Sequence, residues 1–226
     1  MSLELFKYIY SFTRNVSYAS NSAKMAIIIL AAGLSERMGK DKQIIEFMGK
    51  PILQWVIESA KGSRVKEIYV VLGHHSDKIE KAISMDGIKK VFCKNYKIGI
   101  SASLKAGVNA LQKDVSAAIV MLGDQPLVKS STIDKLVEAY DSYDADMIIP
   151  SYKGRRGNPV LLSKKTFNLI QGLEGDQGAR VLMKRVRVRK IEVDDSGILL
   201  DVDTSRDLES LQAKYKNHNL TRSVRR

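Results

Sequence analysis

The feature that most restricts the fold of this chain is an alternation, between residue 25 and about residue 150, of short Ile- and Val-rich runs with stretches of helical periodicity. AIIIL (26–30), EIYVVLG (67–73), KKVFCKN (89–95), AAIVML (117–122) and DMIIPS (146–151) have strand length. Several are apolar on both faces, as strands buried between two helical layers must be. Between them, KPILQWVIESA puts Pro51 at a first-turn position and lines up Ile52, Leu53, Val56, Ile57 and Ala60 on one stripe. SDKIEKAI, SASLKAGVNAL and SSTIDKLVEAY each open with a Ser near a cap position, and the last carries Ile133, Leu136 and Val137 at helical spacing. A repeated β-α order predicts a single three-layer α/β domain with a mostly parallel central sheet. Past residue 150 the pattern gives a Gly-rich turn (YKGRRGNP), a strand in PVLL, and helices around KTFNLIQGL and GARVLMKRV. A hairpin-like pair, RKIEVD and GILLDVD, then precedes a last helix from Ser205.

The domain is expected over residues 25–215. Residues 1–24 are aromatic and basic with one acid, lack a secretory apolar region, and stand apart as an N-terminal extension with room for an amphipathic helix over residues 3–12. Residues 216–226 form a basic tail. A formal charge of +12 suits an anionic small substrate or a nucleic acid. Much of the excess lies in KRVRVRK (184–190), which reads as a strand with one basic face, and in TRSVRR (221–226), without an aromatic-interleaved patch or RNA-binding signature. A nucleic-acid partner is therefore disfavoured. The lone Cys93 excludes an internal disulfide and, lacking partners at ligand spacing, a structural zinc site. A reducing, cytoplasmic setting is expected. The longest apolar run, residues 25–32, is strand-sized and falls short of the roughly eighteen residues a membrane span needs.

In open α/β sheets ligands bind beyond the carboxyl ends of the strands. Three such places stand out. LAAGLSERMGKDK follows the first strand, but five residues separate Gly33 from Gly39 and Asp41 follows Lys40, so it is not a Walker A loop, and it contains no G-x-G-x-x-G. Ala31, Ala32 and Gly33 nevertheless offer backbone N–H groups with little side-chain obstruction, while Arg37 and Lys42 bring cations to a polyanion. A surface loop with scattered basic residues is the plain alternative for this stretch by itself. Asp124, in MLGDQP, emerges directly after an apolar strand, where a magnesium ion could share it with substrate phosphates. In LLDVDTSRDL, Asp201 and Asp203 fall on one side of a strand by period two, ahead of a helix capped by Thr204 or Ser205. His74 and His75 point opposite ways and are poorly arranged for a shared metal, and Trp55 and Met48 suit the core better than a base-stacking platform.

The order LAAGLSERMGKDK, GKPIL, VVLGHHSDKI, NYKIGISASLKAG, MLGDQPLV, GRRGNPVLL, GDQGAR and GILLDVDTSRDL, over residues 25–211, resembles molybdenum cofactor cytidylyltransferase and its nucleotidyltransferase relatives. The resemblance implies a Rossmann-like nucleotidyltransferase sheet, Mg²⁺ as cofactor, and transfer of CMP from CTP to the phosphate of molybdopterin cofactor with release of pyrophosphate. A molybdoenzyme or its maturation chaperone would be the protein partner. It further implies that Leu30, Ala31, Ala32, Gly33 and Gly73 hold the nucleotide, with Arg37 and Lys42 on the triphosphate and Ser101, Ala102 and Ser103 at the base. Asp124 would be one magnesium ligand and Asp203, or else Asp201, the second. Arg156, Gly157, Asn158, Asp176, Gly178 and Arg180 are assigned to the acceptor. This chain departs from the pattern at Ser205-Arg206, where relatives often have Pro-Glu, and at Asn158, where many have His. Ala32 stands where the guanylyltransferase branch typically has glycine, which favours CTP over GTP. Another NTP, or a sugar phosphate as acceptor, is the alternative within the same fold, and a non-catalytic nucleic-acid binder the alternative outside it.

Overall fold

The computed structural model describes residues 23–33, 41–73 and 75–223. β1 (Met25–Ala31) lies in the interior of the sheet, paired in parallel with β4 (Glu67–Leu72) on one side and β6 (Ala117–Leu122) on the other. β5 (Lys89–Phe92) extends the sheet beyond β4, also in parallel. Past β6 come β9 (Val160–Ser163), β7 (Met147–Tyr152) and β10 (Val188–Glu192), giving the order β10-β7-β9-β6-β1-β4-β5, with the short β8 (Arg155–Arg156) beside β7. β9 runs against both of its neighbours, and β10 is parallel to β7. The sheet is thus mostly parallel, as its doubly apolar strands required. A separate ribbon pairs β2 (Glu46–Phe47) with β3 (Lys50–Pro51).

Period-two alternation along β1 divides its side chains between two cores. Ile27 and Ile29 pack with Leu53, Val56 and Ile57 of α1 (Ile52–Lys61) and with Ile133 and Leu136 of α4 (Ser130–Ser142). α2 (Ser76–Ala82) adds Ile79 to the same core. Ile28 faces the other way, against Leu104 and Val108 of α3 (Ile100–Asn109) and Ile170 of α5 (Phe167–Ile170). These isoleucines of β1 are fully buried, a burial that stabilises by about 1.5–3 kcal/mol per side chain. That is why this strand anchors the domain.

Several local expectations are corrected. The serines do not cap their helices: the N-cap positions of α2, α3 and α4 are His75, Gly99 and Lys129, without side-chain cap bonds of their own. The start of α4 is instead served from a distance by the buried Asp195, whose Oδ2 accepts from Lys129 N (2.8 Å) and Thr132 Oγ1 (2.7 Å). The hairpin-like pair does not form. RKIEVD supplies β10, which joins β7, while GILLDVD becomes a 3₁₀ turn (Ser196–Leu199) followed by irregular chain, pinned because Asp195 Oδ1 accepts from Gly197 N at 3.0 Å. GARVLMKRV likewise forms a 3₁₀ turn, Ala179–Lys184, and β10 takes only the end of KRVRVRK. Lys24, placed in the extension by sequence, ion-pairs with Glu67 (3.0 Å) and Asp114 (2.9 Å). α6 (Ser205–Ser223) continues past residue 215. Its start is a reciprocal cap: Thr204 Oγ1 accepts from Asp207 N (3.2 Å) and Asp207 Oδ2 accepts from Thr204 N (2.8 Å). Residues 1–22 and 224–226, with the expected helix over residues 3–12, lie outside the described residues. Among those described, no helix is long and apolar enough to cross a membrane.

Candidate active site

Parallel pairing brings the carboxyl ends of β1 and β6 side by side, so the turns that follow them meet. Gly123 N donates to Leu30 O at 2.9 Å and fixes their spacing. Lys42, opening the 3₁₀ turn Lys42–Ile44, reaches back into this corner: its Nζ donates to Asp124 Oδ2 at 2.7 Å and to Asp203 Oδ1 at 2.8 Å. Asp203 arrives there because Val202 N donates to Asp124 O at 3.0 Å. Burial by itself would lower the pKa of Lys42, but the charge of Asp124 and the hydrogen bonds to both carboxylates outweigh it and hold the ammonium above its ordinary range. Asp124 Oδ1 is buried with no hydrogen-bond partner among the described residues.

Asp201 is turned elsewhere. Its Oδ1 accepts from Gln125 Nε2 at 2.5 Å, and the irregular backbone removes the strand periodicity that would have set it beside Asp203. Surrounding protein and then the negative charge of Asp124 raise its pKa, although the residue reaches solvent.

A hard divalent cation fits the donor set of Asp124 and Asp203, since magnesium commonly takes one or two carboxylates together with substrate phosphate oxygens. Asp124 Oδ1, buried and unpartnered, is the free oxygen such an ion would satisfy. No group of three or more His, Cys, Asp and Glu side chains gathers among the described residues, so remaining ligands would come from phosphate and water.

Two cavities of about 520 Å³ each open along this end of the sheet, sharing a wall of Leu30, Ile100 and Leu122. The first contains Ala32, Gly33, Lys42, Ser103, Asp124 and Asp203. Asp176, assigned to the acceptor by sequence, lies in this one. The second contains Arg156, Gly157, Asn158, Gly178 and Arg180, with Val120, Met147, Ile149, Val160 and Met183 as apolar lining. Gly157 is packed so closely on the 3₁₀ turn that a Cβ would stand 2.2 Å from Ile198 O. Ser101 and Ala102 face neither cavity; they line a groove on the other side of α3. Ala31 belongs to the core. Gly73 supports the loop rather than lining it, for a Cβ there would lie 2.6 Å from Ala32 O. Arg37 and His74 lie outside the described residues.

Sequence reasoning missed three residues. Gln43 is buried, and its Nε2 donates to Ala31 O (3.2 Å) and Gly33 O (3.4 Å), bracing the loop from beneath. The available signal was an amide placed between the loop and the Ile44-Ile45 pair. Asp41 faces His75 Nε2 (3.0 Å) and Lys78 Nζ (3.4 Å), tying the loop's exit to α2. Arg155 joins Arg156 and Arg180 at the second cavity.

The sequence profile of the MobA-like NTP transferase domain matches residues 27–191. The chain is 28% identical over 200 residues to the bifunctional protein GlmU of Thermosipho africanus, covering 86% of this chain but 41% of that protein. It thus spans about two fifths of that relative. With molybdenum cofactor cytidylyltransferase of Escherichia coli it shares 28% identity over 191 residues, 83% of this chain and 95% of that enzyme. The crystal structure of the Rv0371c homologue from Mycobacterium sp. strain JC1 superposes with a TM-score of 0.74 at 28% identity, covering 84% of this chain and 96% of that one.

Proposed function

We propose, for a chain that belongs to the MobA-like NTP transferase domain family, that the nucleotidyl transfer common to that family takes the form of CMP transfer from CTP to the phosphate of molybdopterin cofactor, with release of pyrophosphate. The observation that carries this reading is the contact between two unlike cavities: one built around Lys42, Asp124 and Asp203, the other apolar with arginines, joined along Leu30 and Leu122. A flat heteroaromatic acceptor bearing a phosphate suits a lining of Val120, Met147, Ile149, Val160 and Met183. Sugar hydroxyls set against that apolar wall would lose their water, with polar partners only at Asn158 and the arginines. The match to nearly the full length of the Escherichia coli cytidylyltransferase supports the same acceptor, and the methyl group of Ala32 supports CTP.

Catalysis on this reading is alignment and charge neutralisation. CTP occupies the first cavity, with its phosphates toward the Ala32–Gly33 backbone and Lys42. Asp124 and Asp203 would hold a magnesium ion, which would supply charge neutralisation for the triphosphate and the departing pyrophosphate. Arg156 and Arg180 hold the acceptor so that its phosphate oxygen meets the α-phosphorus in line; one P–O bond forms as that to pyrophosphate breaks. Because the acceptor supplies the nucleophile, no side chain needs to be activated for attack. The cytidylylated product would pass to a molybdoenzyme or its maturation chaperone.

The test is pyrophosphate release from each labelled NTP, with molybdopterin cofactor and, separately, with a sugar phosphate. Release with CTP and the pterin is expected. Activity with a sugar phosphate alone would reassign the acceptor, and no transfer with any pairing would sink the enzymatic reading.

A further inference from the structure

Lys42 sits where a divalent cation would be held. Its Nζ is 2.7 Å from Asp124 Oδ2 and 2.8 Å from Asp203 Oδ1, bridging carboxylates that come from the middle and the far end of the domain sequence. We propose that Lys42 is a placeholder for that cation: its ammonium keeps the Asp124–Asp203 pair closed to free divalent ions until a nucleotide triphosphate draws the lysine onto its phosphates. The inference rests on the reading of Asp124 and Asp203 as cation ligands.

Three observations support it. First, the ammonium already uses one oxygen from each carboxylate, so an ion entering between them would meet both occupied donors and a like charge. The Lys42 and Asp124 side chains are only 15% and 20% exposed, and salt screens such a partly buried repulsion poorly. Second, the backbone next to Lys42 is braced independently of the contacts that hold its ammonium. The Gln43 side chain is tied to Ala31 O and Gly33 O, whereas lysine carries its charge on a flexible four-carbon stem. Lys42, Ala32 and Gly33 line the same cavity, so phosphates held at that backbone would share the cavity with the ammonium. Third, a triphosphate offers the lysine a new anionic partner, so its departure leaves no unpaired buried cation. Cation and nucleotide should therefore enter together, and the cation should not precede the nucleotide.

Mn²⁺ titration of the nucleotide-free protein, with free Mn²⁺ counted by electron paramagnetic resonance, tests this directly. Wild type should bind weakly. Lys42→Met and Lys42→Gln, verified as folded by thermal melts in EDTA, should bind at least about tenfold more tightly, because a neighbouring positive charge has been removed. Equal affinity in wild type and both folded variants would overturn the placeholder role and leave the metal reading standing, provided Asp124→Asn still abolishes binding. If neither wild type nor the variants bind Mn²⁺, with or without CTP, the metal reading fails and the proposal with it. Should both variants unfold, the wild type decides: acylation of the Lys42 amine, followed by mass spectrometry, should rise as Mn²⁺ saturates. Labelling indifferent to saturating Mn²⁺ would mean that the ion lands on Asp124 Oδ1 without displacing the lysine, which overturns the proposal.

Discussion

The backbone N–H of Val202 donates to the carbonyl of Asp124 at 3.0 Å. This bond joins the turn after β6 to the chain just ahead of α6, so the Asp203 carboxylate is delivered to Lys42 by main-chain geometry. The reciprocal Thr204–Asp207 cap holds the other side of the same segment. The two proposed cation ligands can accordingly lose their side chains without losing their positions.

Asp124→Ala should reduce nucleotidyl transfer by at least about a hundredfold, the scale on which removal of a charge-stabilising group acts. Its melting temperature should stay close to that of wild type, because the Val202 bond uses the backbone. Asp203→Ala should also impair turnover, whereas Asp201→Ala should have little effect, its carboxylate being engaged by Gln125. Steady-state rates for the three variants, beside thermal melts, check this; a severe Asp201 defect with a normal Asp203 variant would exchange their roles.

Gln43→Ala removes the amide that serves two carbonyls of the loop. Leaving those acceptors unpaired costs about 1–3 kcal/mol. The loop is a nucleotide-side element, so KM for the NTP should rise more than kcat falls, and the acceptor KM should not move. Initial-rate kinetics varying each substrate separate these cases.

Gly73→Ala should act on the same loop from the other side. A Cβ 2.6 Å from Ala32 O forces backbone apart, and such overpacking typically costs about 1–3 kcal/mol. A raised nucleotide dissociation constant, measured by calorimetry, is the expected result. Unchanged affinity would show that Ala32 can shift without consequence.

Arg180→Ala and Arg156→Ala should raise the acceptor KM by about tenfold each, in keeping with loss of a charge-assisted contact to an anion, while nucleotide affinity stays as in wild type. A matching loss of nucleotide affinity would move these arginines from the second cavity's ligand to the first.

One source of acid sensitivity should be the sheet's β7–β10 edge. The Arg187 guanidinium, hydrogen-bonded to Asp146 Oδ1 and Oδ2 at 3.2 and 3.1 Å, lowers the pKa of that carboxyl below its ordinary value, against a smaller opposing effect of burial. A depressed carboxylate stabilises the fold above its unfolded pKa of about 3.9, and that stabilisation fades as pH falls through the lower folded value. Asp146→Asn should therefore lose about 1 kcal/mol at neutral pH, or about 2–4 °C of melting temperature. The gap should begin to close below about pH 4. Melts from pH 7 down to pH 3 measure it; a gap independent of pH would assign the loss to packing.

The sequence by itself determined the elements whose causes are short-range. Apolar strands with two buried faces implied the mostly parallel sheet, helical stripes such as Ile52, Leu53 and Val56 implied the covering layers, and strand ends located Ala32, Gly33 and Asp124 at one edge. These follow from periodicities of two and 3.6 residues, which are written into neighbouring positions. What only the tertiary structure decided were relations between distant segments. It turned β9 against its neighbours, gave the cap of α4 to Asp195, set Asp176 in the first cavity and faced Ser101 away from both. It also distinguished Asp203 from Asp201: a period-two reading makes them equivalent, but the chain there is not a strand, and Lys42, 161 residues before Asp203, meets only that carboxylate of the two at hydrogen-bonding distance. No local pattern encodes a contact made by closing most of the domain between its partners, so the ammonium bridge at the heart of the site could be read only from the folded chain.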